Sequence, residues 1–247
     1  LSATVAVNIE PRFKEAEFSL TELANLRQFS GPWGGFITSE PVRTRVGKAA
    51  GSWANYVEGC ALNVQHRLSG RAVPNLHLAV GSNVPQGAAL SSSAALCTSL
   101  VLAFSGWAEH EFSCEELILA ARDGEWYAGS RCGVSDQAAM VLGEPGRCVN
   151  IALKAEQLDV SGQRYYSLGE EVDILVVNSQ TERSLSGNEL IAYTQNRFAY
   201  SMALHVCRQE LAAQGVPEEA VAAIDGLPAL APGALHAYGE LDLLYRI

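Results

Sequence analysis

Residues 85–95 read Pro85-Gln86-Gly87-Ala88-Ala89-Leu90-Ser91-Ser92-Ser93-Ala94-Ala95, a loop of small residues that runs straight into a nearly all-apolar stretch reaching Phe104. The apolar stretch predicts a buried helix. A helix N-terminus carries free N–H groups and a partial positive charge. Small side chains let the backbone close on a phosphate, and the serine hydroxyls add donors or a metal ligand. On residue types alone two readings stay open: a phosphate cradle, or a serine N-cap on a packed helix. No Gly-Lys-Ser/Thr follows, so the loop is not of the Walker A kind.

Upstream, Ala3 to Phe13 reads as a strand, with Val5, Val7 and Ile9 alternating against Ala6, Asn8 and Glu10. A second strand is expected near Leu76, Leu78 and Val80. Residues 31–35, Gly-Pro-Trp-Gly-Gly, read as a turn-rich break, and Ser52 to Arg67 as the first helix. Downstream, Ser113 and Glu116 form an S-x-x-E capping box opening a helix through Ala120 and Ala121. Residues 130–137 read as a loop. Val172 to Val177 reads as a buried strand opening a second domain, and Ser186 with Glu189 as a capping box for a helix running to Gly215. Strands and helices do not alternate regularly, which favours α+β over a doubly wound sheet. The domain boundary is expected near residue 168, giving domains 1–168 and 169–247.

The formal charge of −10, with charged residues only 18% of 247, argues against nucleic acid as a partner. It leaves room for a nucleotide, provided backbone N–H groups and a metal ion supply the positive field locally. Six cysteines without C-x-x-C pairs read as buried reduced thiols. The five histidines lack metal-ligand spacing. No apolar run of membrane-spanning length occurs, so no membrane partner is expected and the cytoplasm is the expected location. The chain begins at Leu1 and closes inside what reads as a helix from near Ala234, ends that fit a fragment.

The serine-rich run resembles the second signature of the GHMP kinases, a glycine-rich loop followed by Leu-Ser-Ser-Ser-Ala. Two flanking segments resemble galactokinases within that superfamily. Ser52-Trp53-Ala54-Asn55-Tyr56-Val57-Glu58-Gly59 is similar to the Trp-Ala-Asn-Tyr-Val-Lys-Gly helix, and Cys132-Gly133-Val134-Ser135-Asp136-Gln137 to the Cys-Gly-Ile-Met-Asp-Gln segment. The resemblance implies ATP and Mg²⁺, with residues Gln86, Gly87, Ala88, Ala89, Leu90, Ser91, Ser92 and Ser93 around the triphosphate. Ser93 is then the metal ligand, and Trp53 and Tyr56 form the adenine wall, a flat apolar surface of the kind indole supplies. It further implies Asp136 as the base or nucleophile-positioning group at a sugar anomeric hydroxyl, and Gly133, Asp136 and Tyr193 as sugar contacts. The fold implied is an S5-like first domain followed by a ferredoxin-like second domain, incomplete in this chain.

The sequence departs from the family at several points. The first signature would lie upstream of Leu1 and the third beyond Ile247, so this chain alone is expected to be inactive. Ala88 and Ala89 stand where glycines are usual. Counting back from Cys132, the Mg²⁺-binding Glu falls on Gly124, with Glu125 shifted by about 100° around a helix; Glu125 would then serve only if the helix is locally altered. Gly124 itself lies on the Leu117 and Ala121 stripe and permits close packing. Counting on from Asn178, the sugar-contacting Tyr falls on Leu190, with Tyr193 near it. The expected activity is transfer of the ATP γ-phosphoryl group to galactose or a related sugar. The alternatives are an arabinose-type or other small-molecule kinase of the superfamily, and a non-catalytic nucleotide- and sugar-sensing relative.

Overall fold

The computed structural model describes residues 2–69, 71–151, 158, 160–169, 171–177, 188–224 and 226. The chain divides into two units, Leu1–Ala152 with Asp159–Ser186, and Leu153–Leu158 with Gly187–Ile247.

In the first unit the central strand β1 (Thr4–Asn8) pairs antiparallel with β2 (Ala16–Phe18) and parallel with β3 (His77–Val80), in the order β2-β1-β3. A parallel pair needs a long crossover. Here it holds the short helices α1 (Leu20–Ala24) and α2 (Trp33–Ile37), then α3 (Glu40–Lys48) and α4 (Ala54–Arg67). Past β3 come α5 (Ser92–Trp107), α6 (Cys114–Tyr127) and α7 (Ser135–Leu142), then a hairpin of β4 (Arg147–Asn150) and β5 (Arg164–Ser167). Tyr165 ties the hairpin down by donating its hydroxyl to the Leu142 carbonyl at 2.9 Å.

The core lies between the sheet and α4, α5 and α6, which pack pairwise on one another. Ala6, Ala16 and Phe18 from the sheet meet Val57, Ala61 and Leu62 of α4 and Leu100, Val101 and Phe104 of α5. Helix α6 starts on the anticipated capping box: Ser113 Oγ accepts from the Glu116 N–H at 3.2 Å, and Glu116 accepts from the Ser113 N–H at 2.9 Å. The crossing of α4 and α6 is close because glycines face each other across it. A Cβ on Gly59 would lie 2.5 Å from the Gly124 carbonyl oxygen, and one on Gly124 would lie 2.6 Å from Cys60 Sγ. Below this crossing Glu58 is buried, paired with Arg45 at 2.6 Å and accepting from the Tyr127 hydroxyl at 2.8 Å.

The second unit contains α8 (Asn188–Ala213) and α9 (Glu218–Ala222). Gly215 takes the left-handed conformation (φ +85°) that turns the chain after α8, and Leu211, Val216 and Ile224 close a small apolar cluster. Ser186 and residues 178–180 lie outside the described residues.

Several expectations need correction. The first strand stops at Asn8, whose side chain accepts from the Glu10 N–H in a turn that leads into Pro11. On it Thr4 and Ala6 face the core, whereas Val7 and Ile9 are exposed. The Gly31–Gly35 stretch is not simply a break. Trp33, Phe36 and Ile37 are spaced to bury one helical face, and that burial outweighs the helix cost of Gly34 and Gly35. Residues Ser135 to Gln137 belong to α7 rather than to a loop. Val172 to Val177 forms no ladder among the described residues, and Val172, Ile174, Leu175, Val176 and Val177 are exposed; a strand exists only where a neighbouring backbone takes its hydrogen bonds. All six cysteines are free, but Cys114 and Cys148 are exposed and Cys132 is half-buried.

The α4–α6 contact sets a direct test. Gly59→Ala pushes a methyl into the α6 backbone and should lower stability by about 1–3 kcal/mol, a fall in Tm of roughly 2–4 °C per kcal/mol at this size. Gly47→Ala, in α3 with no atom within 4 Å of its added methyl, should instead stabilise by about 0.5–1 kcal/mol. Thermal melts of both variants check this; equal effects would show that the crossing is not tight.

Candidate active site

A cleft of about 740 Å³ opens where the end of β1, the start of α4 and the start of α5 converge. Ile9, Phe13, Trp53, Tyr56 and Leu96 give it apolar walls, and Asn8, Gln86, Ser92 and Ser93 line it with polar groups. Its size and its mixture of apolar wall and few polar groups suit a small molecule. Both aromatic residues expected at an adenine therefore meet the expected phosphate-loop serines in one cleft. Trp53 is also a structural residue: it is buried, donates its indole N–H to the Lys14 carbonyl at 2.7 Å and packs edge-on against Phe13.

The loop before α5 has the backbone of an anion cradle. Gly87, Ala89 and Ser91 are left-handed, with φ of +70°, +56° and +55°, and alternate with residues of negative φ. Such alternation turns successive N–H groups toward one concavity. The alanine at position 89 therefore takes a glycine-like conformation, in spite of its methyl. Ser91 occupies the N-cap of α5 but makes no capping bond, so the first-turn N–H groups have no side-chain partner there. This decides against the serine-cap reading. Of the loop, Gln86, Ser92 and Ser93 line the cleft, whereas residues 87–91 are not part of its wall. Arg12, to which the sequence assigned no role, donates to the Gln86 side-chain Oε1 at 2.8 Å and pairs with Glu10.

Ser93 joins the cleft to a second group of residues. Its hydroxyl donates to Glu125 Oε1 at 2.9 Å, and Gln137 Nε2 donates to Glu125 Oε2 at 2.9 Å. Glu125 thus faces Ser93 from an uninterrupted α6, and no local alteration of the helix is needed. The count back from Cys132 crosses residues 128–131, which are not helical, so it carries no register. Burial raises the Glu125 pKa, and the nearby Asp136 carboxylate adds to the rise, while the bonds from Ser93 and Gln137 oppose it. Asp136 is exposed in the first turn of α7. Burial, then the Glu125 charge, pushes the Cys132 thiol up to about 12, so it is no nucleophile near neutral pH. Gly133 precedes α7 in the same loop and, like Asp136, does not line the cleft. Tyr193 lies within α8 of the second unit, where its side chain is outside the described residues.

Ser93 and Glu125 together offer a hydroxyl and a carboxylate. Among the described residues no cluster of three His, Cys, Asp or Glu side chains is found. A hydroxyl and one carboxylate fit Mg²⁺, which takes oxygen ligands and keeps waters and phosphate oxygens for most of its positions.

Residues 55–144 match the model of the family described as GHMP kinases N terminal domain. This match supports membership of the GHMP kinase superfamily. The match runs from the start of α4 through α7, and so contains Tyr56, Ser93, Glu125 and Asp136. GHMP kinases are ATP-dependent, and the domain carries small-molecule kinase activity in the family. No helix among the described residues is long and apolar enough to cross a membrane.

Gln137, like Arg12 and the cleft-lining Asn8, Ile9, Phe13 and Leu96, had no role assigned from the sequence. Gln137 was visible as the last residue of the Cys132–Gln137 segment, but its full burial behind Glu125 was not.

Two measurements follow from this geometry. Relieving the left-handed alanine with Ala89→Gly should raise stability by up to about 1 kcal/mol, read as a Tm rise of roughly 2–4 °C; a fall would mean the methyl is packed rather than strained. Glu125 has a raised pKa, so between the ordinary carboxylate range and that raised value the folded state holds the proton more tightly, and stability falls as pH rises. Ionised Glu125 is therefore a cost at neutral pH in the ligand-free protein. Glu125→Gln should stabilise that form, on the order of 1 kcal/mol, and flatten its Tm profile through that window. An unchanged profile would show that Glu125 is not the group responsible.

Proposed function

We propose that this chain is the catalytic core of a galactokinase-like enzyme that transfers the γ-phosphoryl group of Mg-ATP to the anomeric hydroxyl of galactose or a related sugar. The observation that carries this reading is the Ser93 hydroxyl, on the wall of a nucleotide-sized cleft and 2.9 Å from the buried Glu125 carboxylate. Trp53, Tyr56 and Ile9 would enclose the adenine, and the N–H groups around Gly87–Ser93 would take the phosphates. Burial and the Glu125 charge both raise the Tyr56 pKa, so its hydroxyl keeps its proton beside the bound nucleotide.

Mg²⁺ held by Ser93 and Glu125 would neutralise the charge on the β- and γ-phosphoryl oxygens. Gln137 holds Glu125 in place by bonding its second oxygen, which leaves the first directed at Ser93. Asp136 is solvated at the start of α7, whereas Glu125 is buried and already engaged by Ser93 and Gln137. Asp136 is then the carboxylate suited to accept the sugar hydroxyl proton or to hold that hydroxyl in line. The second unit, with Tyr193, is proposed to supply further sugar contacts from a ferredoxin-like domain, and residues 1–168 an S5-like one.

The test is Asp136→Asn in the complete protein, assayed by sugar-dependent ADP release. kcat should fall by about 10²–10⁴-fold, with sugar affinity changed far less, because the amide still hydrogen-bonds the hydroxyl. Normal turnover would remove Asp136 from the chemistry. Ser93→Ala should weaken Mg-ATP binding while leaving binding of ATP in excess chelator unaffected; equal affinities with and without Mg²⁺ in the wild type would overturn the metal assignment.

A further inference from the structure

The loop joining α6 to α7 carries a charged feature that phosphoryl transfer as described does not use. Arg131 is half-buried, yet its guanidinium makes no hydrogen bond or ion pair with any described residue. Its contact is the Trp126 ring, with Cζ 5.4 Å from the centroid, and Arg122 lies over the same ring at 4.5 Å. The indole is fixed in turn, since its N–H donates to the Cys132 carbonyl at 2.9 Å. A guanidinium has five donors, and taking it out of water without an acceptor costs free energy. Burial accordingly lowers the Arg131 pKa, and only the Cys132 sulfur opposes that. A long basic side chain with nothing to bind ordinarily runs out to solvent. This one is held back against the loop.

The charge around it is also out of balance. Arg67 and Arg122 share the buried Asp123 carboxylate, at 2.7 and 2.6 Å, and Arg131 is not among its partners. Glu116, which lies near Arg67, is engaged in the capping box of α6. Two guanidiniums over one indole, of which only Arg122 is paired with a carboxylate, mark a place for an anion. Stacking holds each planar guanidinium ready for the two-point bonding that a phosphate or carboxylate accepts.

Arg131 stands two residues before Gly133 and five before Asp136. We infer that Arg131, with Arg122 beside it, binds the phosphate or carboxylate group of an anionic acceptor whose reacting hydroxyl is presented to Asp136. The inference rests on the kinase reading above and narrows its substrate class. Arg131 and Asp136 are separate groups on the α6–α7 loop and the first turn of α7, so the anionic group and the reacting hydroxyl are assigned to different positions on the acceptor, as in a hexuronate or a hexose 6-phosphate.

Calorimetric titration of the full chain with galactose, galacturonate, galactose 6-phosphate and inorganic phosphate tests this, with Mg-ATP titrated separately. A charge-assisted contact predicts that at least one charged sugar binds about 10–100-fold more tightly than galactose. Arg131→Met, which keeps a long side chain over Trp126, should remove that preference, and Arg131→Lys should keep part of it. Galactose binding as tightly as both charged sugars overturns the inference, and needs no variant to be seen. Inorganic phosphate binding as tightly as galactose 6-phosphate, with the same dependence on Arg131, overturns the acceptor assignment in favour of a free anion. Either result leaves the kinase reading standing so long as Mg-ATP binds, whereas loss of Mg-ATP binding in the wild type counts against that reading.

Discussion

The contact on which the site depends is the close approach of α4 and α6 at Gly59 and Gly124. Because neither residue has a Cβ, the two backbones meet, and this fixes how α6 is rotated about its own axis. Successive helical residues point about 100° apart, so one rotation assigns several directions together. Asp123 turns to Arg67 and Arg122, Gly124 to Cys60, Glu125 to Ser93 and Gln137, Trp126 to the Cys132 carbonyl, and Tyr127 to Glu58. A small rotation of α6 would move all five at once. Packing at a position remote from solvent thus aims the carboxylate on which the proposed metal site relies.

Several costs in this unit lie at the cleft or against it. Ala89 and Ser91 hold left-handed backbone without being glycine, and the first turn of α5 has no side-chain cap. Glu125 is buried with its pKa raised, and the fully buried Gln137 that supports it leaves its carbonyl oxygen without a partner. Strain and desolvation of this kind persist where the surrounding structure over-determines them, and they recur at functional sites. In the α6 capping box and the Arg45–Glu58–Tyr127 group, by contrast, the charged and polar atoms are paired.

How much of this was legible in the sequence depended on whether the signal was local. The Ser113–Glu116 box, the helices read at Ser52–Arg67 and along the apolar stretch to Phe104, and the strand near Leu78 rest on short-range patterns; they are present, the two helices as Ala54–Arg67 and Ser92–Trp107. The helical stripe of Leu117, Ala121 and Gly124 also gave the correct packing face. Counting back from Cys132 failed because residues outside a helix have no fixed angle to those within it. The short helix at Trp33–Ile37 was hidden by its glycines, since what stabilises it is burial against α4 and α6, a tertiary term. The exposed Val172–Val177 run shows the converse. Apolar β-branched residues mark a stretch able to pair, but pairing requires a partner strand that the run itself does not encode.

An acidic chain that binds an acidic nucleotide must gather positive potential locally, and the site has three distinct sources for it. Alternating left-handed residues turn backbone N–H groups outward, the start of α5 adds its dipole, and the Ser93–Glu125 pair is suited to a cation. The two carboxylates near it have unlike surroundings: Glu125 is buried and resists ionisation, while Asp136 is solvated. Groups set apart in this way take different roles, since the buried one gives up its proton readily only when a positive charge is near. On that argument cation binding and ionisation of Glu125 would be a single linked event, separate from the role proposed for Asp136 at the acceptor hydroxyl.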